Sequence, residues 1–460
     1  MCEQGDFASA TSSASTKLIH GGLRYLETFD LRLVRESLSE REVLLLAAPH
    51  LIQPRRFVLP HHSGLRPAWM LRTGLWLYDH LGGRSTLPAA KNVDLTRDSI
   101  GAPLQARYRR GFEYSDCCVD DARLVIVNAI DAAERGASMN PRTRCTSAER
   151  QNSVWRMLVQ KTDAPGSNEV FARIVVNAAG PWVNEVLRNV VHAAPRREVR
   201  LDKGSHIVVR RIFAHDRAYL FQNADGRVVF AIPFELDFTL IGTTEVDFRG
   251  DPAAAVVSEP ETDYLISTVN SYFREPVMRD AIVWSYAGVR ALVEQRGVEA
   301  RKLSRDYLLE LDAGNGAPLL SVYGGKLTTY RKLAEAVLSR LAPFTNMQRP
   351  WTANAPLPGG DTGDVDAFAT ECQREYPFLR ERDVRRLVSA YGTRVNRVLD
   401  GARSAADLGR DFGAGLTQAE LGYLVSSEWA YTAEDVLWRR SKLGLHLNAQ
   451  QIAGIEAALR

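Results

Sequence analysis

The pattern of apolar and polar positions along the chain changes period several times, and each change predicts an element. Residues 120–136, DDARLVIVNAIDAAERG, set apolar side chains at helical spacing behind a pair of acids and stop on a glycine, which predicts one helix with a defined start and end. Residues 172–182, ARIVVNAAGPW, form a β-branched run that closes on small residues, as a buried strand does when it enters a turn. Between residues 204 and 246 four extended runs, SHIVVRR, AYLFQN, RVVFAIPF and FTLIGTTEV, are separated only by the turn-like AHDR, ADGR and ELD. With no helix between them, they predict antiparallel pairing. Residues 319–341, LLSVYGGKLTTYRKLAEAVLSRL, read as strand, glycine-pair turn and long helix, with Leu327, Tyr330, Ala334, Val337, Leu338 and Leu341 as its apolar stripe. Residues 346–364, rich in Pro, Gly and polar side chains, predict a linker, and helix formers dominate from there to the C-terminus.

One segment has two readings. RPAWMLRTGLWLYDHLGGR, residues 66–84, encloses Trp69, Met70, Leu75, Trp76 and Tyr78 between arginines. It suits either a core helix or a helix lying in a lipid headgroup layer. No apolar run approaches the roughly 18 residues needed to span a bilayer, and residues 1–6, MCEQGD, are too polar for a signal peptide. The expected location is therefore cytoplasmic, peripheral on the membrane.

Composition narrows the function classes. At 460 residues, 45% hydrophobic and 25% charged, the chain can bury the cores of two or three domains. Its 58 basic and 55 acidic residues leave a net charge of +3, too small to imply a nucleic-acid partner. Cys2, Cys117, Cys118, Cys145 and Cys372 show neither metal-site nor disulfide spacing, so a reducing compartment is expected, with the Cys117–Cys118 pair as packing residues. His61 and His62 lack further ligand-spaced residues, and no metal is expected.

The chemistry is carried by ATSSASTKLIHGGLRYLE (residues 10–27), GFEYSDCCVDDARLV (111–125), NAAGPWV (177–183), KGSHIVV (203–209) and GGKLTTYRKLAEAV (324–337). In this order and over nearly the whole chain, they resemble the FAD-dependent, quinone-linked glycerol-3-phosphate dehydrogenases. The resemblance implies an α/β fold: a doubly wound, Rossmann-like FAD domain (about 1–50, 107–200 and 300–345) interleaved with an antiparallel β substrate domain (about 51–106 and 201–299). A linker at 346–364 and an all-α domain at 365–460 complete it. The family's first strand and its G-x-G-x-x-G loop have no counterpart in these residues, so a native start about one βαβ unit, roughly 30 residues, upstream is expected.

The same resemblance assigns roles. His206 is the expected base, its ordinary pKa near 6.5 suiting proton removal; Arg290 lies beside the reacting hydroxyl, where a cation stabilises a developing oxyanion. Arg24, Tyr25, Arg305 and Lys326 hold the substrate phosphate, beside glycine pairs that let backbone approach a ligand. FAD is expected to touch Glu3 at its ribose, Thr11, Ser12, Ser13 and Ser15 at the pyrophosphate or ribityl chain, and also Lys17, Asn177, Gly180 and Trp182. Gly324, Gly325, Lys326, Leu327 and Thr328 are expected to meet the ring, with helix N–H groups turned toward it, and Thr11 to Ser15 also to cap a helix. The implied partners are glycerol 3-phosphate, a quinone, a membrane surface and a second copy of the chain as a homodimer. Two readings stay open beside this one: a related FAD oxidase using oxygen or another 2-hydroxy or amino substrate, and a remnant without cofactor.

Overall fold

A computed structural model of the chain describes residues 1–26, 30–83, 85–223, 225–294, 306–314 and 316–460, with every side chain in them except that of Arg24. The largest sheet is mixed but mainly antiparallel. Its strands run in the order Leu18–Ile19, Arg110–Val119, Ile52–His61, Ala218–Gln222, Val228–Phe234, Phe238–Gly242, Val199–Arg210 and Val246–Phe248, with Ile282–Val293 along the other side of Val199–Arg210. The four extended runs do pair antiparallel, with one departure. Val199–Arg210 and Ala218–Gln222 are consecutive in sequence but do not pair; the latter lies beside Ile52–His61 in parallel, and the hairpin Val228–Phe234 and Phe238–Gly242 fills the space between them. A connection of 211–217 is too long for a tight hairpin turn and carries the chain past that hairpin.

Val199–Arg210 has neighbours on both edges and cores on both faces. Ile207 and Val209 join a cluster with Phe221 and Leu265, whereas Val208 joins one with Phe57 and Leu240. The period-two alternation of a strand sends neighbours to opposite faces, and two covered faces turn that alternation into the continuous run HIVV.

A second sheet holds Val175–Asn177 parallel to Leu319–Tyr323, with Leu308–Asp312 antiparallel on the other edge. The helix Tyr330–Leu341 packs through Leu333, Val337 and Leu341. Leu338 is 52% exposed and Ala334 is also exposed, so the apolar stripe follows 333, 337 and 341 rather than 334 and 338. A third, antiparallel sheet comprises Thr143–Gln151, Val154–Lys161 and Asn168–Ala172. The predicted helix over 120–136 forms as Asp121–Glu134, capped by the Asp120 carboxylate, which accepts from the Arg123 N–H.

Beyond residue 364, Val365–Glu375, Glu381–Tyr391, Gln418–Glu428 and Ala449–Ala458 enclose Leu416, Leu424 and Val436. Buried ion pairs dock this helical unit. Arg440 reaches Asp6 at 2.7 Å, Arg439 reaches the same carboxylate at 2.6 Å, and Arg123 pairs with Glu428 at 2.9 Å. In the helix Ala68–Leu81, Leu75 and Tyr78 are core residues, but Trp69 and Trp76 are 67% and 59% exposed, so only one side of the helix belongs to the interior. No helix among the described residues is long and apolar enough to cross a membrane.

Candidate active site

Two glycine pairs about 300 residues apart in sequence meet at the cavity. Gly22, Gly324 and Gly325 have φ of 74°, 71° and 109°, left-handed values that glycine adopts freely and that turn each loop sharply after its strand. The turn residues then interlock: Thr328 Oγ1 accepts from the His20 N–H at 3.2 Å, and Lys326 Nζ lies 3.7 Å from the centre of the Tyr25 ring. The sequence places a helix N-terminus at 324–328, but the helix begins at Tyr330, and residues 324–329 form a loop that walls the cavity instead.

That cavity holds about 1100 Å³. One part of its wall is polar, carrying Thr11, Ser12, Ser15, Thr16, Arg290 and Lys326; another is apolar, with Leu59, Leu71, Leu75, Leu220, Val228 and Phe230.

His206 stands just behind the polar wall. In sheet register it is flanked by Gly242 on one side and Tyr286 on the other. The Tyr286 ring stacks on the imidazole, centroids 4.8 Å apart at 16°. Gly242 makes room for it, since a Cβ there would lie 2.0 Å from His206 Cδ2. The histidine is only 1% exposed, and its Nε2 is 3.0 Å from Thr16 Oγ1, which faces the cavity. Burial, then the charges of Arg290 and Lys17, hold the imidazole well below its usual range, which favours its neutral form. His206, the expected base, is set back from the cavity, and the Thr16 hydroxyl stands between its Nε2 and the cavity.

Arg290 reaches the wall from the strand Ile282–Val293 and bonds Asp202 Oδ2 at 3.1 Å. The absence of a side chain at Gly204 lets it approach, because a Cβ there would come within 2.8 Å of Arg290 Nη2.

Of the other expected contacts, Tyr25, Thr11, Ser12, Ser15, Gly180, Gly324, Gly325, Lys326, Leu327 and Thr328 line the cavity. Glu3, Ser13, Lys17, Asn177 and Trp182 are absent from its wall. Glu3 accepts from the Gly5 N–H, and Asn177 donates to the Val183 carbonyl at 2.9 Å, which holds the NAAGPW turn. Ser13 donates to Ala10 O, and Trp182 Nε1 to Asp251. Lys17 is buried on Asp121 at 2.6 Å. The serines cap no α-helix: Thr11–Ser13 is a single 3-10 turn without a side-chain cap, and Ser15 Oγ donates to Asp121 at 2.7 Å. The Arg24 side chain and Arg305 lie outside the described part of the chain.

Sequence reasoning passed over Thr16, His20, Gly242 and Tyr286. Tyr286 carried a signal, since in a strand it shares a face with Arg290 four residues on. Gly242 carried none, because its role depends on a ring from the neighbouring strand.

A wall of hydroxyls, two close-turning glycine loops and a cavity of about 1100 Å³ fit a large cofactor with a planar polar-edged ring. Residues 1–331 match the family model of FAD dependent oxidoreductases, and residues 350–458 that of the C-terminal domain of alpha-glycerophosphate oxidase. The chain belongs to the FAD-dependent oxidoreductases. Within that family it is 52% identical over 454 residues to the glycerol-3-phosphate dehydrogenase of Pseudomonas aeruginosa, covering 98% of this chain and 88% of the relative. It is also 48% identical over 460 residues to the D-erythritol 1-phosphate dehydrogenase of Brucella abortus, covering 99% and 92%. The glycerol-3-phosphate dehydrogenase of Bacillus halodurans, solved with FAD, superimposes with a TM-score of 0.77 at 25% identity, covering 100% of this chain and 88% of that one. This FAD-dependent oxidoreductase thus shares its architecture with a relative solved with FAD, over 88% of that relative's chain.

Proposed function

We propose that this oxidoreductase converts sn-glycerol 3-phosphate to dihydroxyacetone phosphate and passes the electrons to a quinone at a membrane surface. The observation that carries the reading is the arrangement on one wall of a cation for an anionic group, a cation for a reacting oxygen and a hydroxyl–imidazole pair for a proton. The names of the relatives support the same substrate class.

Lys326 and Tyr25, joined across the two glycine loops, form the phosphate end of the site. Arg290 holds the secondary hydroxyl and stabilises negative charge as its proton leaves. Thr16 Oγ accepts that proton while its own passes to His206 Nε2, so that the buried imidazole acts as base through one intervening hydroxyl. Bound FAD, held by Thr11, Ser12, Ser15 and the loop 324–328, supplies the hydride acceptor. The apolar lobe behind Leu59, Leu220 and Phe230 suits a hydrophobic ring acceptor. Trp69 and Trp76, exposed on the helix Ala68–Leu81 in a segment that also carries Arg66 and Arg72, suit a headgroup layer.

Two relationships favour variants of this reading: the erythritol-phosphate relative and the oxidase C-terminal domain. Assay of the FAD-loaded protein with sn-glycerol 3-phosphate and with D-erythritol 1-phosphate, each with a soluble quinone or with oxygen alone, separates them. Fast turnover of the glycerol ester with the quinone and little peroxide is expected; faster turnover of the erythritol ester, or stoichiometric peroxide, overturns the corresponding half.

A further inference from the structure

Lys17, like Asn177, is an expected cofactor contact that the fold buries away from the cavity wall, and the surroundings of Lys17 give it another task. It is 4% exposed. Its Nζ donates to Asp121 Oδ1 at 2.6 Å and to the Ser13 carbonyl at 2.9 Å, and lies 5.1 Å from the centre of the Tyr286 ring. The backbone at Lys17 has φ 59°, a conformation uncommon for a residue with a side chain and therefore held by its surroundings. Tyr286 is the residue that stacks on His206, and its hydroxyl donates to the Ser15 carbonyl at 2.9 Å, fixing the ring beside the segment that carries Lys17.

Resting on the reading that His206 is the base, we propose that Lys17 is a positioning residue for the reaction: its buried ammonium, seated against Tyr286, keeps His206 a neutral imidazole. The Tyr286 ring lies against both the imidazole and the ammonium, and in so enclosed a place charge acts over distances that water would screen. Asp121 also accepts from the Ser15 N–H and Oγ and from the Ala122 N–H, which spreads its negative charge over donors other than Lys17. Among the described residues, the charged or titratable groups facing His206 are Arg290 and Tyr286 from the strand Ile282–Val293 and Lys17 from the segment before Leu18–Ile19. Of these, Arg290 shares its charge with Asp202, and burial keeps the Tyr286 phenol un-ionised far above neutral pH. Burial draws the Lys17 ammonium below its usual range and Lys442 adds to this, while Asp121 and Asp120 act to keep it charged.

The test reads protonation directly and needs no turnover. The 460-residue chain labelled with 13Cε1-histidine has nine such signals; the one lost in His206→Gln belongs to this residue. In Lys17→Met the His206 midpoint is expected to rise by about one pH unit, and Lys17→Arg is expected to restore it. Lys17→Met leaves Asp121 without a buried partner, so Lys17→Met/Asp121→Asn is measured beside it. A smaller rise in the double variant supports the proposal. A midpoint unmoved there overturns it, because the effect of the single change would then belong to the uncovered carboxylate. In parallel, the acidic limb of kcat/KM should move the same way while KM stays within about twofold; equal loss at every pH would mark a merely structural residue. A histidine signal that shifts in a protein without dehydrogenase activity would sink the proposed substrate and leave this inference standing.

Discussion

At the scale of single residues, the site depends as much on missing side chains as on present ones. Gly242→Ala would set a methyl carbon 2.0 Å from His206 Cδ2, and the sheet on both sides leaves the ring nowhere to retreat without unstacking from Tyr286. The expected outcome is a fall in kcat of about 10²-fold, the usual size of a lost proton-transfer contribution, with FAD content unchanged in the visible spectrum. A variant with full activity would show that His206 takes no part. Lys326→Met tests the other end. Loss of a shielded cation from a phosphate costs roughly 1.5–3 kcal/mol, or about 10- to 100-fold in KM for glycerol 3-phosphate, while slow oxidation of bare glycerol should be untouched. Equal damage to both substrates would move the phosphate elsewhere.

At the scale of elements, the strand Val199–Arg210 is held in place by a buried acid under it. Glu261, on the helix Glu259–Tyr272, accepts from Ser205 Oγ and Thr244 Oγ1 at 2.8 Å each and pairs with Lys203 at 2.7 Å. Burial alone would raise its pKa, but Lys203 and the hydroxyls of Ser258 and Ser205 outweigh it and hold the carboxyl down at about 2, against an ordinary 4.5. A depressed carboxylate stabilises the fold above its unfolded value, and this stabilisation disappears as pH falls from 4.5 toward 2. Thermal melts of Glu261→Gln should therefore show a lower Tm than the parent at pH 7 and a shallower decline between pH 4.5 and 2; parallel curves would contradict this. What the sequence revealed at this scale follows from local physics. The helix Asp121–Glu134 was legible because cap, period and stop lie within 17 residues. The antiparallel set was legible from its alternation, but the placement of Ala218–Gln222 beside Ile52–His61 depends on a partner some 160 residues away and left no local mark. Likewise the cavity-facing glycine loops announced themselves as motifs. The screen of Thr16 in front of His206, and the burial of Lys17, arise only from strand register and packing.

At the scale of the molecule, the helical C-terminal unit is fastened to the flavin-binding part by charges taken out of water. Glu428 is 0% exposed and paired with Arg123, itself 2% exposed, while Asp6 near the chain start takes Arg439 and Arg440. Breaking one partner of such a pair costs about 3–5 kcal/mol because the other charge stays buried. Glu428→Ala should lower the stability of the whole chain by that order, with both parts unfolding in one calorimetric transition; early release of the helical unit alone would show that the ion pairs do not couple them.

The central claim is that glycerol 3-phosphate is oxidised against FAD in this one cavity. Its most direct measurement is the visible spectrum of FAD-loaded protein mixed anaerobically with glycerol 3-phosphate and no other acceptor. The account predicts rapid bleaching of the flavin band with one equivalent of dihydroxyacetone phosphate formed, and much slower bleaching in His206→Gln. Protein that binds FAD and stays yellow in saturating glycerol 3-phosphate would contradict it.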